Sequence, residues 1–209
     1  ARRSIVLLKN ESLLPVDTRK FKKILVTGPN ANNQSIMGDW VFEQPEKNVS
    51  TILEGIKEEA SGTQINYVDV GWNMRALDSA KIEEAIQTAK SSDLAIVIVG
   101  EDSFRQHWKE KTCGENRDRM DITLWGKQDY LVESIYKTGV PTIVILINGR
   151  PLATRWIAEN IPAVIEAWEP GSMGGKAIAE ILFGKVNPSG KLPITIPRHV
   201  GQISTVYNH

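Results

Sequence analysis

What this 209-residue chain has little of narrows it first. It holds one cysteine, Cys113, so neither an intramolecular disulfide nor a multi-cysteine zinc site can form. Histidine is almost as scarce: His107, His199 and His209 stand far apart, and no HExxH-type metal motif exists. Neither sign of charge is in excess, with 25 Lys plus Arg against 25 Asp plus Glu. A nucleic-acid partner usually demands a basic surplus and a solvating tail an acidic one, so neither is expected. Long apolar runs are missing too. The longest, 94–99 and 142–147, are about a third of a membrane span, and no membrane partner is expected. No secretory leader is visible. The chain opens at Ala1 without Met and enters an apolar run at 5–8, which reads as a piece of a longer protein. One cysteine fits the cytoplasm, the periplasm or export equally.

What is present is ordinary: 41% hydrophobic and 24% charged residues make a soluble globular composition. A chain of this length buries roughly 70% of its unfolded surface in one domain and needs no staples. Short apolar runs alternate with helical patterns. Strands are expected at 23–27, 65–70, 94–99, 141–147 and 163–167, the run at 94–99 buried on both faces because nothing polar interrupts it. Helices are expected at 51–60, at 79–89 with Asp78 or Ser79 as N-cap, at 126–137 with Leu131 and Ile135 inward, at 154–159, and at 174–183 before Gly184. This order predicts an α/β fold: a mostly parallel sheet of about five or six strands covered by helices on both faces. Ligands of such sheets sit beyond the carboxyl ends of the strands, so the loops after Thr27, Val99, Ile147 and Ala167 matter most.

The loop after Val99 stands out. Residues 100–121, GEDSFRQHWKEKTCGENRDRMD, lack apolar periodicity, and a structureless stretch of about twenty residues is unusual in a compact domain. Its mixed charge also fits a plain solvated loop. Cys113 could be a nucleophile only with a base beside it, and His107 is the one histidine in reach along the chain. Nucleotide binding finds weak support. Gly28-Pro29-Asn30-Ala31-Asn32-Asn33 lacks GxGxxG, and Gly171-Ser-Met-Gly-Gly-Lys-Ala177 has the wrong spacing for a phosphate loop, with Ala where Ser or Thr would hold magnesium. No GxSxG elbow exists.

Seven segments, in this order, carry a resemblance: Ser4-Ile-Val-Leu-Leu-Lys-Asn10, Ile24-Leu-Val-Thr-Gly-Pro-Asn-Ala31, Gly38-Asp39-Trp40, Gly114-Glu115-Asn-Arg-Asp-Arg119, Ile147-Asn-Gly-Arg-Pro151, Glu166-Ala-Trp-Glu-Pro-Gly171 and Asn187-Pro-Ser-Gly-Lys-Leu-Pro193. Together they resemble the C-terminal α/β-sandwich domain of family 3 glycoside hydrolases, mostly β-glucosidases, over residues 1–209. The closing Val206-Tyr207-Asn208-His209 is similar to the segment that leads out of that domain. The resemblance implies an N-terminal (β/α)₈ barrel of the same polypeptide, absent here, that supplies an Asp nucleophile. It implies a β-linked oligosaccharide or glycoside substrate and no cofactor or metal. It makes Glu115 the general acid/base and Trp40, with Asp39 beside it, an aromatic platform on the leaving-group side. Glu101, at a strand end, could hydrogen-bond sugar or order the loop.

Retaining hydrolysis needs two carboxyl groups about 5–5.5 Å apart, and the proton donor must hold its proton near neutral pH. Arg117 and Arg119 flank Glu115 and favour its charged form, an effect the barrel's own carboxylate would have to reverse. On residue type alone Trp40 reads rather as core or interface, since tryptophan is usually well buried. The function that follows is half of a retaining, exo-acting β-glycosidase. The competing readings are a non-catalytic carbohydrate-binding or scaffold module and a doubly wound nucleotide-binding domain. A periplasmic or secreted enzyme is favoured over a cytoplasmic one.

Overall fold

The unbroken apolar run at 94–99 becomes the centre of the molecule. In the computed structural model, which describes residues 1–202, strand β4 (Leu94–Gly100) and its neighbour β5 (Thr142–Ile147) are buried at every position. Beyond β4 lie β2 (Lys23–Thr27) and the edge strand β3 (Gln64–Val68). Beyond β5 lie β6 (Ala163–Glu166) and the edge strand β1 (Val6–Asn10), giving the order β1-β6-β5-β4-β2-β3. Every pairing is parallel except β1 with β6. The expected fold class therefore stands, with six strands. The segment 206–209 and His209 lie outside the described residues.

Alternation along the strands splits the core into two layers, because successive side chains point to opposite faces. Ile96, Ile98, Ile143 and Ile145 pack against helices α1 (Ile52–Glu59) and α5 (Gly174–Leu182). Ala95, Val97, Val144 and Leu146 pack against α2 (Ser79–Lys90), α3 (Gln128–Tyr136) and α4 (Arg155–Asn160). The caps are local chemistry. Thr51 and Glu54 form a reciprocal capping box on α1, and Asp78 accepts from the amides of Ala80 and Lys81 on α2. Among the described residues no helix is long and apolar enough to cross a membrane.

Two expectations need correcting. The run at 5–8 is not only an apolar stretch: it leads into β1, whose antiparallel pairing with β6 shifts register between Leu7 and Lys9. A five-residue edge strand has no local signature of its partner. The helix expected from residue 126 begins at Gln128, because Gly126 sits at φ +62° in a turn pressed against the Met74 carbonyl.

The glycines of the 171–177 segment have a packing role. A Cβ on Gly175 would lie 1.9 Å from the Thr51 carbonyl oxygen, and one on Gly55 would lie 2.3 Å from the Gly175 oxygen. They let the α1 and α5 backbones touch. Gly175→Ala is therefore expected to cost about 3 kcal/mol, the upper end of overpacking penalties, since backbone cannot yield as a side chain does. Gly62→Ala, with φ +78° and open space around the new methyl, should cost only about 1 kcal/mol of backbone strain. Urea unfolding midpoints of both variants check this; equal losses would show that the helix contact is looser than described.

Candidate active site

The 100–121 segment is the long loop the sequence predicts, interrupted by one short 3₁₀ turn, Arg105–His107. It leaves the carboxyl end of β4 and is held down by ion pairs beneath it. Glu101 opens it with a side chain that has no exposed surface. Its carboxylate lies 2.8 Å from Arg119 Nη1 and 3.3 Å from Arg150 Nε. Burial pushes the Glu101 carboxyl up, and Arg150 and Arg119 pull against that. Arg119 also donates to the Thr123 carbonyl at 2.6 Å, and Arg150 to the Arg117 carbonyl at 2.8 Å. Removing one member of such a buried pair generally costs about 3–5 kcal/mol, because a bare charge is left behind. Of the two roles open to Glu101, its geometry serves the ordering of the loop; its carboxylate presents no surface to a sugar.

Asp102 organises the next stretch. Its Oδ1 accepts from the Phe104 amide at 2.8 Å and its Oδ2 lies 2.5 Å from His107 Nδ1. The His107 ring stacks on Trp72 with centroids 3.9 Å apart. The Asp102 carbonyl accepts the amides of Thr112 and Cys113. Cys113 is buried, and burial, with the Glu101 and Glu169 carboxylates nearby, pushes its thiol up. A thiol so disposed is a packing residue, not a nucleophile.

Asp39 is the hub. Lys111 is fully buried, and its Nζ lies 3.1 and 3.0 Å from the two Asp39 carboxylate oxygens. Arg105 Nε lies 3.5 Å from Oδ1, and the Glu115 amide donates to Oδ2 at 2.6 Å. Burial alone would raise the Asp39 carboxyl, but the Glu115 amide, Lys111 and Arg105 outweigh it and hold the group below its ordinary value. Gly114 must be glycine here: its φ is +85°, and a Cβ would come within 2.5 Å of Asp39 Oδ2.

From this hub Glu115 and Trp40 project outward together. The Glu115 side chain is 41% exposed and accepts from Arg105 Nη2 at 2.7 Å. The indole of Trp40 is 75% exposed, with the Arg105 guanidinium 3.7 Å from its ring centre. Of the two readings from residue type, core or interface, the core one is thereby overturned: Asp39 turns inward to Lys111, and the ring beside it lies outside. The expected cationic neighbours of Glu115 are also corrected. Arg117 turns away to the carbonyls of Lys111 and Trp108, Arg119 is consumed by Glu101, and the cation on Glu115 is Arg105.

Sequence reasoning missed Arg105, Lys111 and Glu169. Glu169 accepts from Ser103 Oγ, and burial raises its carboxyl, with Asp39, Glu101 and Asp102 adding to the effect. Its place after the carboxyl end of β6 was a usable signal. Lys111 offered none, since it sits in what reads as a solvated charge run. Among the described residues no group of three or more His, Cys, Asp or Glu is arranged to hold a metal ion.

Comparison with known proteins identifies the fold's lineage. A model of the glycosyl hydrolase family 3 C-terminal domain matches residues 5–209. A beta-xylosidase of Formosa agariphila is 41% identical over 99% of this chain and 28% of its own length. A periplasmic beta-glucosidase of Salmonella typhimurium is 36% identical over 100% of this chain and 29% of its own. The solved structure of a beta-glucosidase from Listeria innocua in complex with isofagomine superposes with a TM-score of 0.84 at 31% identity, over 98% of this chain and 27% of that one. The chain belongs to glycosyl hydrolase family 3, as its C-terminal domain, and spans less than a third of the length of these relatives.

One carboxyl at the same edge makes a pH-dependent prediction. Glu166 ends β6, is buried, accepts from the Trp168 amide and Asn148 Nδ2, and forms no ion pair among the described residues. Burial pushes it up from 4.5 to about 7, against those two hydrogen bonds. Below the unfolded value both states hold the proton. As pH rises toward 7 the unfolded chain releases it and the folded chain keeps it, so stability falls across that window and then levels. Glu166→Gln cannot ionise. Its stability relative to the parent chain should rise by about 3 kcal/mol between about pH 4.5 and pH 7.5, read from urea unfolding at each pH. A difference that stays flat with pH would mean that Glu166 is ionised in the fold.

Proposed function

We propose that this family 3 domain is the acid/base half of a retaining, exo-acting β-glycosidase that cleaves terminal β-glucosides of oligosaccharides or aryl glycosides. One observation carries the proposal: Glu115 stands half-exposed on a loop pinned from below by buried ion pairs, beside an exposed indole, at the carboxyl edge of a parallel sheet. A barrel of the same polypeptide supplies the nucleophilic Asp, which attacks the anomeric carbon. Glu115 gives its proton to the departing oxygen, then takes one from the water that releases the glycosyl-enzyme. The Trp40 face receives the leaving-group sugar, a large flat apolar surface at low entropic cost. The names of the relatives, xylosidase and glucosidase, make β-xylosides the comparison substrate. The Salmonella relative, named periplasmic, supports placing the complete enzyme in the periplasm or outside the cell. An exposed indole equally suits a non-catalytic sugar-binding module, and turnover separates the two.

In the complete polypeptide, Glu115→Ala should lose about 10²–10⁴-fold on disaccharides, the usual worth of general acid catalysis. Activated aryl glycosides leave without a proton, so their glycosylation step should be spared and the intermediate should accumulate as a burst. Azide needs no base and should restore turnover, yielding a β-glycosyl azide. Equal losses on both substrates with no azide effect would remove Glu115 from the role.

Trp40→Ala should raise KM for disaccharides about tenfold, and less for aryl glycosides with small leaving groups, as loss of a stacking face in binding predicts. Equal shifts on both would contradict a leaving-group platform.

A further inference from the structure

We infer that the Lys111–Asp39 pair is a positioning device for Glu115; the inference rests on the reading of Glu115 as the acid/base. Lys111 is among the largest fully buried side chains, and an ammonium so placed must be paired. Among the described residues Asp39 is the only carboxylate it pairs with, at 3.0 Å. The Trp108 ring, 4.5 Å from the ammonium, adds a weaker cation–π contact, so Asp39 carries the pairing and is held inward by it. Its Oδ2 is then fixed where the Glu115 amide arrives at 2.6 Å.

Asp39 also controls the other end of Glu115. Arg105 lies 3.5 Å from Asp39 Oδ1 through Nε and 2.7 Å from Glu115 Oε2 through Nη2. The backbone of Glu115 is thus held directly and its carboxylate through one guanidinium. The same guanidinium lies over Trp40. Gly114, squeezed against the Asp39 carboxylate, leaves the chain no slack just before Glu115. Without the Lys111 charge, Asp39 would turn either to Arg105, drawing it off Glu115, or to solvent, dropping the amide. Both displace the proton donor without touching the substrate.

The test uses the complete polypeptide. Lys111→Met should lower kcat on disaccharides about 100-fold, the scale of an ångström's misplacement, with KM within about threefold. On an activated aryl glycoside in azide it should stay within about threefold of the parent enzyme, because neither acid nor base is needed there. The charge-free variant Asp39→Asn/Lys111→Met keeps a carbonyl for the Glu115 amide and should recover about tenfold of the disaccharide loss. Asp39→Ala/Lys111→Met removes that acceptor and should show the full, azide-rescuable loss. These two carry the comparison if Lys111→Met does not fold.

The inference is overturned if Glu115→Ala behaves as an acid/base variant while the Lys111 and Asp39 variants lose the same factor on both substrates, or if the Asn and Ala double variants are equal. If Glu115→Ala itself shows no leaving-group dependence and no azide rescue, the assigned function fails and the inference falls with it.

Discussion

A buried ammonium has to meet a carboxylate, and in this domain Lys111 meets Asp39. That single requirement sets much of what surrounds it. It turns Asp39 inward and so leaves Trp40, the next residue, outside. It fixes an acceptor that the Glu115 amide reaches, and it forces glycine at 114. Arg105 closes the arrangement by touching Asp39, Glu115 and Trp40 at once. The loop has almost no secondary structure of its own. Buried Phe104 and the His107–Trp72 stack anchor part of it, and the ion pairs of Lys111 and Glu101 hold the rest where water does not screen them.

The sheet supplies the ground on which this happens. Three parallel pairings deliver the carboxyl ends of β2, β4, β5 and β6 to one edge. Each contributes polar groups just past its last apolar residue. Asn30 donates to the Glu101 carbonyl, Asn148 donates to Glu166, and Glu169 follows β6 and meets Ser103 from the β4 loop. The core beneath is apolar on both faces, so the carboxyls at this edge pair with cations, lie buried on neutral hydrogen-bond donors as Glu166 and Glu169 do, or turn to solvent. Glu101 and Asp39 pair; Glu115 turns outward, keeping one exposed cation contact.

The fold was legible because its signals are periodic and local. The run at 94–99, the cap at Asp78, and Gly184 after α5 each announce an element within a few residues. The antiparallel edge strand β1 was not legible as a strand, since its partner lies over 150 residues away in sequence. The long loop could be delimited, and Glu115 and Trp40 could be singled out by resemblance. Their wiring could not. Arg117 and Arg119 are the neighbours of Glu115 along the chain, yet Arg105, ten residues back, is its neighbour in space. A charge run looks solvated until a tertiary partner claims one member of it, and Asp39 lies 72 residues from Lys111.

Ion pairs, rather than an apolar plug, suit a loop with this task. An apolar core under the loop would hold its position as well, and replacing buried pairs by packed hydrophobes is often stabilising elsewhere. It would not hold direction. The Asp39 carboxylate is oriented by a lysine that bridges both of its oxygens and by a backbone amide on Oδ2, with the Arg105 charge 3.5 Å from Oδ1. Hydrophobic contacts are non-directional and allow a loop to slide by an ångström at little cost. For a side chain proposed to hand a proton to one oxygen atom, that ångström is the difference between a working geometry and an idle one. The buried pairs beneath residues 100–121 therefore read as the cost of pointing Glu115, not as a source of stability for the sheet.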